Sequence, residues 1–399
     1  MHRRHFLRAL AAAGVTLPSL PGMADDALAP TASSDASGAR PRHLVLIELQ
    51  GGNDGLNTVV PSADPLYRKL RPTLALSPDE VLPLDDGLGL HPSLEPLMPL
   101  WARGDLAIAQ GVGYPAPNRS HFRSIEIWET ASDADETRLQ GWLAPLTGSL
   151  PAIGPYGIKA LALARDEGPL AGSLSDTVVF ENLAGFVRQA RGLGTRDAGR
   201  ERTTDALAHL LSVERTTRAA ALAFAERLDD EAGSAKGRGP ALARRLELVA
   251  RLIEADAGPQ VFKVELGSFD THAGQANRHR ALLGELGTSL AGFARMLVAS
   301  GRWNDVLVMS YSEFGRRAAE NGTGGTDHGT AAPHFLAGGR VAGGLHGHRP
   351  DLSRLERGDP AFTTDFRSLY ATVAHDWFGQ ALAEAPFADF ATLPLVRGA

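Results

Sequence analysis

Apolar residues along this chain gather into short runs that stop at polar, glycine-rich stretches. His43 to Leu49 runs into Gly51-Gly52-Asn53-Asp54-Gly55, and Val261 to Leu266 into Ser268-Phe269-Asp270-Thr271-His272. Val306 to Ser310 runs into Tyr311-Ser312-Glu313-Phe314-Gly315-Arg316, while a weaker run, Leu106 to Val112, leads into Pro115 through His121. Short uninterrupted apolar runs of this kind mark strands buried on both faces. Between them, Asp205 to Leu228, Leu242 to Ala255 and Asn277 to Ala299 carry apolar residues at three- and four-residue spacing, with Gly233 to Pro240 separating the first two. Strand and helix in alternation predict an α/β fold, an α/β/α sandwich with a mainly parallel central sheet. In such sheets ligands sit beyond the carboxyl ends of the strands, so the four polar loops are expected to meet at one edge.

The N-terminus departs from this pattern. Arg3-Arg4 stands just ahead of Phe6-Leu7 and a modest apolar stretch from Ala9 to Leu20, followed by small residues at Gly22 and Ala24. That arrangement reads as a twin-arginine signal over residues 1–24, with a flexible leader at 25–41. The stretch is shorter than the roughly 20 residues a membrane span needs, and no other uncharged apolar run approaches that length, so no integral membrane segment is expected. The implied address is periplasmic or secreted, and the implied transient partner is the Tat translocase. What remains, 42–399, suits one large domain with a helical insertion around 185–255, part of which could serve as a lid or a partner surface.

Composition narrows the chemistry. The net charge of −6 argues against a nucleic-acid surface. With no cysteine in the chain, disulfides, thiolate metal sites and cysteine nucleophiles are excluded, and a metal must be held by His, Asp, Glu or hydroxyl groups. The loops after the strands carry such groups: Asp54, Asp270, His272, Glu313, Asp327 and His328. An Asp after a strand commonly caps the next helix, and a loop His is commonly solvated. Here Asp270 and His272 are separated only by Thr271, and Asp327 adjoins His328 between glycines, so both pairs can aim at one point; they are candidate ligands for one or two divalent ions such as zinc, calcium, magnesium or manganese. Ser120 lies between Arg119 and His121 just ahead of a helical pattern from Phe122 to Thr130. Taken locally it is an N-cap serine. Its surroundings also suit an anion, and beside a metal it could act as a nucleophile. There is no Gly-x-Ser-x-Gly elbow or Gly-x-x-x-x-Gly-Lys-Ser/Thr loop, so a typical α/β-hydrolase and a P-loop nucleotidase are set aside.

Several of these motifs occur together in one order: Gly51-Gly52-Asn53-Asp54-Gly55-Leu56-Asn57, Arg119-Ser120-His121-Phe122, Gly141-Trp142-Leu143, Asp270-Thr271-His272, Ser312 to Arg316, and Glu320-Asn321-Gly322 through Gly325-Thr326-Asp327-His328-Gly329. In this the chain resembles, from about Arg42 to Gly379, the bacterial family called domain of unknown function 1501, in which Tat-type export is common. That family in turn resembles a branch of the alkaline-phosphatase-like superfamily. The resemblance implies metal binding by Asp54, attack by Ser120 with Arg119 or His121 stabilising the anion, and completion of the metal site by Asp270 with His272 and Asp327 with His328. The superfamily's mid-chain Asp and His are often four apart, whereas Asp270 and His272 are two apart, so one could orient the other. Glu313 could equally fill the later carboxylate role; Phe314 would then replace a ligand histidine and leave one metal. A further late ligand is open among His334, His346 and His348.

Two functions follow. One is an exported metal-dependent hydrolase acting on a small anionic phosphate or sulfate ester. The other is a non-catalytic binding or assembly protein that keeps the fold.

Overall fold

The computed structural model describes residues 40–398 apart from 86, 155–156, 174–175, 182–184 and 189–238. The segments read above as signal and most of the leader, the helical pattern from Asp205 to Leu228 and most of the expected insertion lie outside the described residues.

The apolar runs form strands β1 (His43–Leu49), β2 (Leu106–Gly113), β3 (Ala160–Leu163), β4 (Thr177–Val179), β5 (Val261–Leu266), β6 (Val306–Tyr311), β7 (Ala332–Ala337), β8 (Gly344–His346) and β9 (Thr364–Asp365). They lie in one sheet in the order β8-β2-β7-β6-β1-β5-β3-β4, with β9 also pairing β2. The pairs β1–β5, β1–β6, β3–β5, β3–β4, β8–β2 and β9–β2 are parallel; β7 alone runs against its neighbours β2 and β6. β1 is central, and its side chains alternate between two cores: Val45, Ile47 and Leu49 join one, Leu44 and Leu46 the other. Helices α2 (Ala241–Glu254) and α3 (Gln275–Ala299) cover the first face, while α1 (His121–Thr130) and α4 (Phe366–Ala371) cover the second. This is an α/β/α sandwich with a mainly parallel sheet.

The helix α3 is, by length and composition alone, apolar enough to cross a membrane, unlike what its sequence suggested. Its buried residues, among them Leu283, Leu286, Leu290, Phe293 and Leu297, pack into the core, which accounts for that apolarity. The helix α2, read as the end of an insertion, likewise buries Leu242, Leu246, Val249 and Ile253 in that core.

Because β1, β2, β5 and β6 point the same way, the loops at 50–54, 114–120, 267–274 and 312–331 all leave the sheet at one edge. β7 carries the chain back from that edge, so the long loop before it begins and ends there.

Candidate metal centre

Two backbone devices let the edge loops close on one another. Gly51 (φ 110) lies so near the backbone of Asp270 that a Cβ would collide with it, and Gly52 (φ 77) would drive a Cβ into the ring of Phe314. Both backbones are in the left-handed half of conformational space, where glycine carries no side-chain penalty. Arg316, fully buried, then ties the loops together. Its guanidinium donates to Gly51 O, Gly52 O (2.7 Å), Phe269 O (3.1 Å), Thr326 O (2.8 Å) and Asp270 Oδ1 (2.7 Å).

Around Asp270 three imidazoles converge. His272 Nε2 lies 3.0 Å and His328 Nε2 3.2 Å from Asp270 Oδ1, the two nitrogens lie 3.0 Å apart, and His121 Nε2 lies 3.5 Å from Asp270 Oδ2. His121, Asp270 and His328 each offer a ligand atom within 4.8 Å of the others'. What sits behind each ring fixes its tautomer. His328 Nδ1 donates to Arg119 O at 2.8 Å, and a carbonyl can only accept. His272 Nδ1 faces Asp327 Oδ1 at 3.1 Å, and His121 Nδ1 faces Glu313 Oε1 at 2.7 Å, a carboxylate that also accepts from Gly51 N. In a neutral ring with its proton on Nδ1, Nε2 offers a lone pair toward the carboxylate. Lone pairs at these separations repel unless a cation stands among them, and ligand atoms about 2.0 Å from a tetrahedral zinc lie about 3.3 Å apart. Imidazoles whose second nitrogen is held by an oxygen are the usual support of such a site.

Electrostatics agree with the geometry. Burial works to raise the Asp270 carboxyl, but Arg316 and the neighbouring imidazoles hold it down at about 2, so it stays an anion. Asp327 is lowered by its bond from Asn321 and then from His272. Burial lowers His328, keeping its ring neutral, whereas the Glu313 bond raises His121. The donor side chains remain partly open to solvent, from 22% at His328 to 45% at His272.

The other sequence-selected residues fall around this cluster. Asp54 is not among the converging donors: its side chain is fully buried and accepts from Arg71 Nη1 at 2.6 Å and from Gln275 Nε2. A guanidinium and an amide therefore hold this carboxylate, contacts no strand-end spacing could reveal. Glu313 and Asp327 contact the rings of His121 and His272, so each is placed to orient a donor. His121, read as an anion stabiliser, is itself a converging donor. Ser120 caps α1 without a side-chain capping bond and is exposed next to His121. The side chain of Arg119 pairs with Asp359. Phe314 is buried with its ring against His121 and His328. His334 is buried beside Trp128 and His346 bonds Ala342 O, so neither joins the cluster. Reasoning from sequence gave no part to Arg71, Gln275 or Arg316: Gln275 and Arg316 adjoin glycine-bearing loops, whereas nothing around Arg71 in the sequence marks it.

Among solved structures, similarity is found to a phosphonate monoester hydrolase from Silicibacter pomeroyi (11% identity, 89% of this chain and 76% of that one, TM-score 0.38). It is also found to a sulfatase from Pseudoalteromonas sp. (9%, 79% and 66%, TM-score 0.34) and to a protein in the alkaline phosphatase superfamily from Vibrio parahaemolyticus (11%, 75% and 60%, TM-score 0.33). No curated protein matches the sequence. The profile described as "Protein of unknown function (DUF1501)" matches residues 41–378, well over half of the chain, and the chain belongs to that family.

Proposed function

We propose that this protein is an exported hydrolase of phosphate or sulfate esters built on a single divalent-metal centre. The observation that carries the reading is the convergence of three imidazole Nε2 atoms on Asp270, each ring held from behind by an oxygen. Imidazole nitrogens beside a carboxylate, with His121, Asp270 and His328 mutually within 4.8 Å and His272 against the last two, suit zinc or another borderline ion better than calcium or magnesium, which take oxygen ligands. A divalent ion there would supply Lewis acidity toward a hydroxyl and charge neutralisation at the transferred group.

The chain's own residues supply the rest. Ser120 offers an exposed hydroxyl beside His121, where it can be aimed at the ester centre. Arg119 and Arg317 both face the one buried carboxylate of Asp359, which leaves a surplus positive charge at the rim to attract an anionic ester. The order of the sequence motifs supports the same reading, through the resemblance to alkaline-phosphatase-like enzymes. The paired Arg3-Arg4 ahead of an apolar stretch supports export through the Tat translocase into the periplasm or beyond.

Metal analysis of the purified protein, beside assays on p-nitrophenyl phosphate and p-nitrophenyl sulfate, tests the enzymatic part. About one equivalent of metal and turnover abolished in Ser120→Ala, with metal retained, is the expected result. No bound metal in the wild type would overturn the reading. Metal without turnover of any ester would leave the alternative, a binding protein on the same fold. For export, replacing Arg3 and Arg4 together with lysine is expected to hold the protein in the cytoplasm; normal export of that variant would refute the twin-arginine assignment.

A further inference from the structure

Behind the centre lies a fully buried polar chain that includes none of the converging donors yet reaches both loops that carry them. Arg71 Nη1 donates to Asp54 Oδ2, and Gln275 Nε2 donates to the same oxygen. A carboxylate oxygen can only accept, so the Gln275 amide has one possible orientation, with Oε1 turned the other way. There Oε1 accepts from Thr271 Oγ1 at 3.0 Å and from Thr326 Oγ1 at 2.6 Å. Thr271 stands between Asp270 and His272, and Thr326 immediately precedes Asp327 and His328. One amide oxygen thus joins the loop after β5 to the loop before β7.

The far end of the chain is equally fixed. Arg71 also donates to Asn57 Oδ1 at 2.6 Å, to Ala318 O at 2.9 Å and to Arg317 O at 2.9 Å. Gln275, Thr271 and Thr326 are all buried at 1% exposure or less, so water does not compete for these bonds. The short reach of Thr271 and Thr326 means that a shift of the amide moves the neighbouring backbone with it.

We propose that Gln275 is a positioning residue of the metal centre: anchored by the Arg71–Asp54 pair, its amide sets the separation between the Asp270/His272 and Asp327/His328 donor pairs and so tunes metal affinity. The inference rests on the metal reading above. It also gives Asp54 its role, that of an anchor one step removed from the metal.

The test is a Zn2+ titration by calorimetry of the full chain stripped of metal, beside urea unfolding of the same metal-free samples. Thr271→Val removes one hydroxyl at nearly constant volume, Thr271→Ser keeps it, and Gln275→Met removes the amide. Partners one step behind a ligand typically change affinity about 10–100-fold. Gln275→Met is therefore expected to weaken Zn2+ by about that factor, Thr271→Val by less, and Thr271→Ser to bind as wild type. Because the two changes delete a shared bond, the Thr271→Val/Gln275→Met double variant is expected to lose less than the sum of the two. If Gln275→Met does not fold, the Thr271 pair decides alone. Unchanged Zn2+ affinity in Thr271→Val, with the metal-free stability lowered or not, overturns the positioning role. Failure of the wild type to bind Zn2+ overturns instead the metal reading on which it rests.

Discussion

At the scale of single residues, the structure separates two aspartates that the sequence presents as equals. Asp54 and Asp270 each follow a central strand, yet one faces a buried guanidinium and the other three imidazoles. Removing the charge of Asp54 strands Arg71 in the interior, where an unpaired ion costs about 3–5 kcal/mol. Asp54→Asn is therefore expected to lower the urea-unfolding stability of the metal-free protein by about that much. His328→Ala is expected to abolish metal binding with a much smaller loss of metal-free stability. If instead Asp54→Asn kept full stability but lost the metal, Asp54 would be a ligand and the assignment above would fail. The contrast shows where sequence reading ends. The convergence of Asp270, His272 and His328 was legible because side chains two residues apart, or beside glycine, can aim at one point. The engagement of Asp54 was not, because Arg71 is distant from the other strand-end loops in sequence and nothing in its own neighbourhood marks it as buried. His121 was assigned a different part because the tautomer of a ring depends on what stands behind it, and Glu313 comes from the loop after β6, 192 positions away.

At the scale of elements, the strands that are read easily are those buried on both faces. β1 and β5 match their apolar runs residue for residue, and β2 and β6 extend theirs by one residue. β7 was missed: Ala332–Ala337 holds Pro333 and His334, which break an apolar run, and its antiparallel course follows from tertiary pairing that periodicity cannot encode. The helix α1 shows how an element is aimed. Its first residue is His121, and one turn on, Ser124 Oγ donates to Glu313 O while accepting from Tyr114 OH at 2.8 Å. That bond joins the helix to the same residue that holds the His121 ring. Ser124→Ala leaves a buried carbonyl without this donor, a loss of about 1–2 kcal/mol. Beyond that drop in stability, it is expected to weaken metal binding by loosening the His121–Glu313 pair. Titration of Ser124→Ala with Zn2+ checks this; a stability loss with wild-type affinity would mean that α1 does not aim His121.

At the scale of the whole molecule, two sets of buried groups bound its stability from opposite sides of neutral pH. His43, His91 and His279 are lowered to about 4 and His334 to about 3, in each case chiefly by burial. Between those values and the ordinary 6.5 the unfolded chain binds more protons than the folded one, so stability is full above about 6.5 and is lost as pH falls toward 4. The opposing group gathers around β5. There the single ammonium of Lys263 faces Glu48 at 3.1 Å, Glu129 at 3.4 Å and Asp166 at 2.7 Å. Three carboxylates share one cation, and Glu129, raised by burial and by its acidic neighbours, keeps its proton up to about 8. A raised carboxyl makes the folded state the greater proton binder, so its contribution declines as pH climbs from about 4.5 through 8. At 6.5 the four imidazoles of the unfolded chain still hold about two protons against the one on Glu129, and they fall to about one proton roughly half a unit higher, which places the stability maximum near about 7. Urea midpoints of the metal-free protein measured from pH 4.5 to 9 are expected to show both limbs. Glu129→Gln should flatten the alkaline limb and leave the acid limb in place, since a neutral amide carries no proton to lose. Retention of the alkaline decline in Glu129→Gln would mean that the surplus proton resides on Glu48, the other carboxyl of the cluster raised by burial.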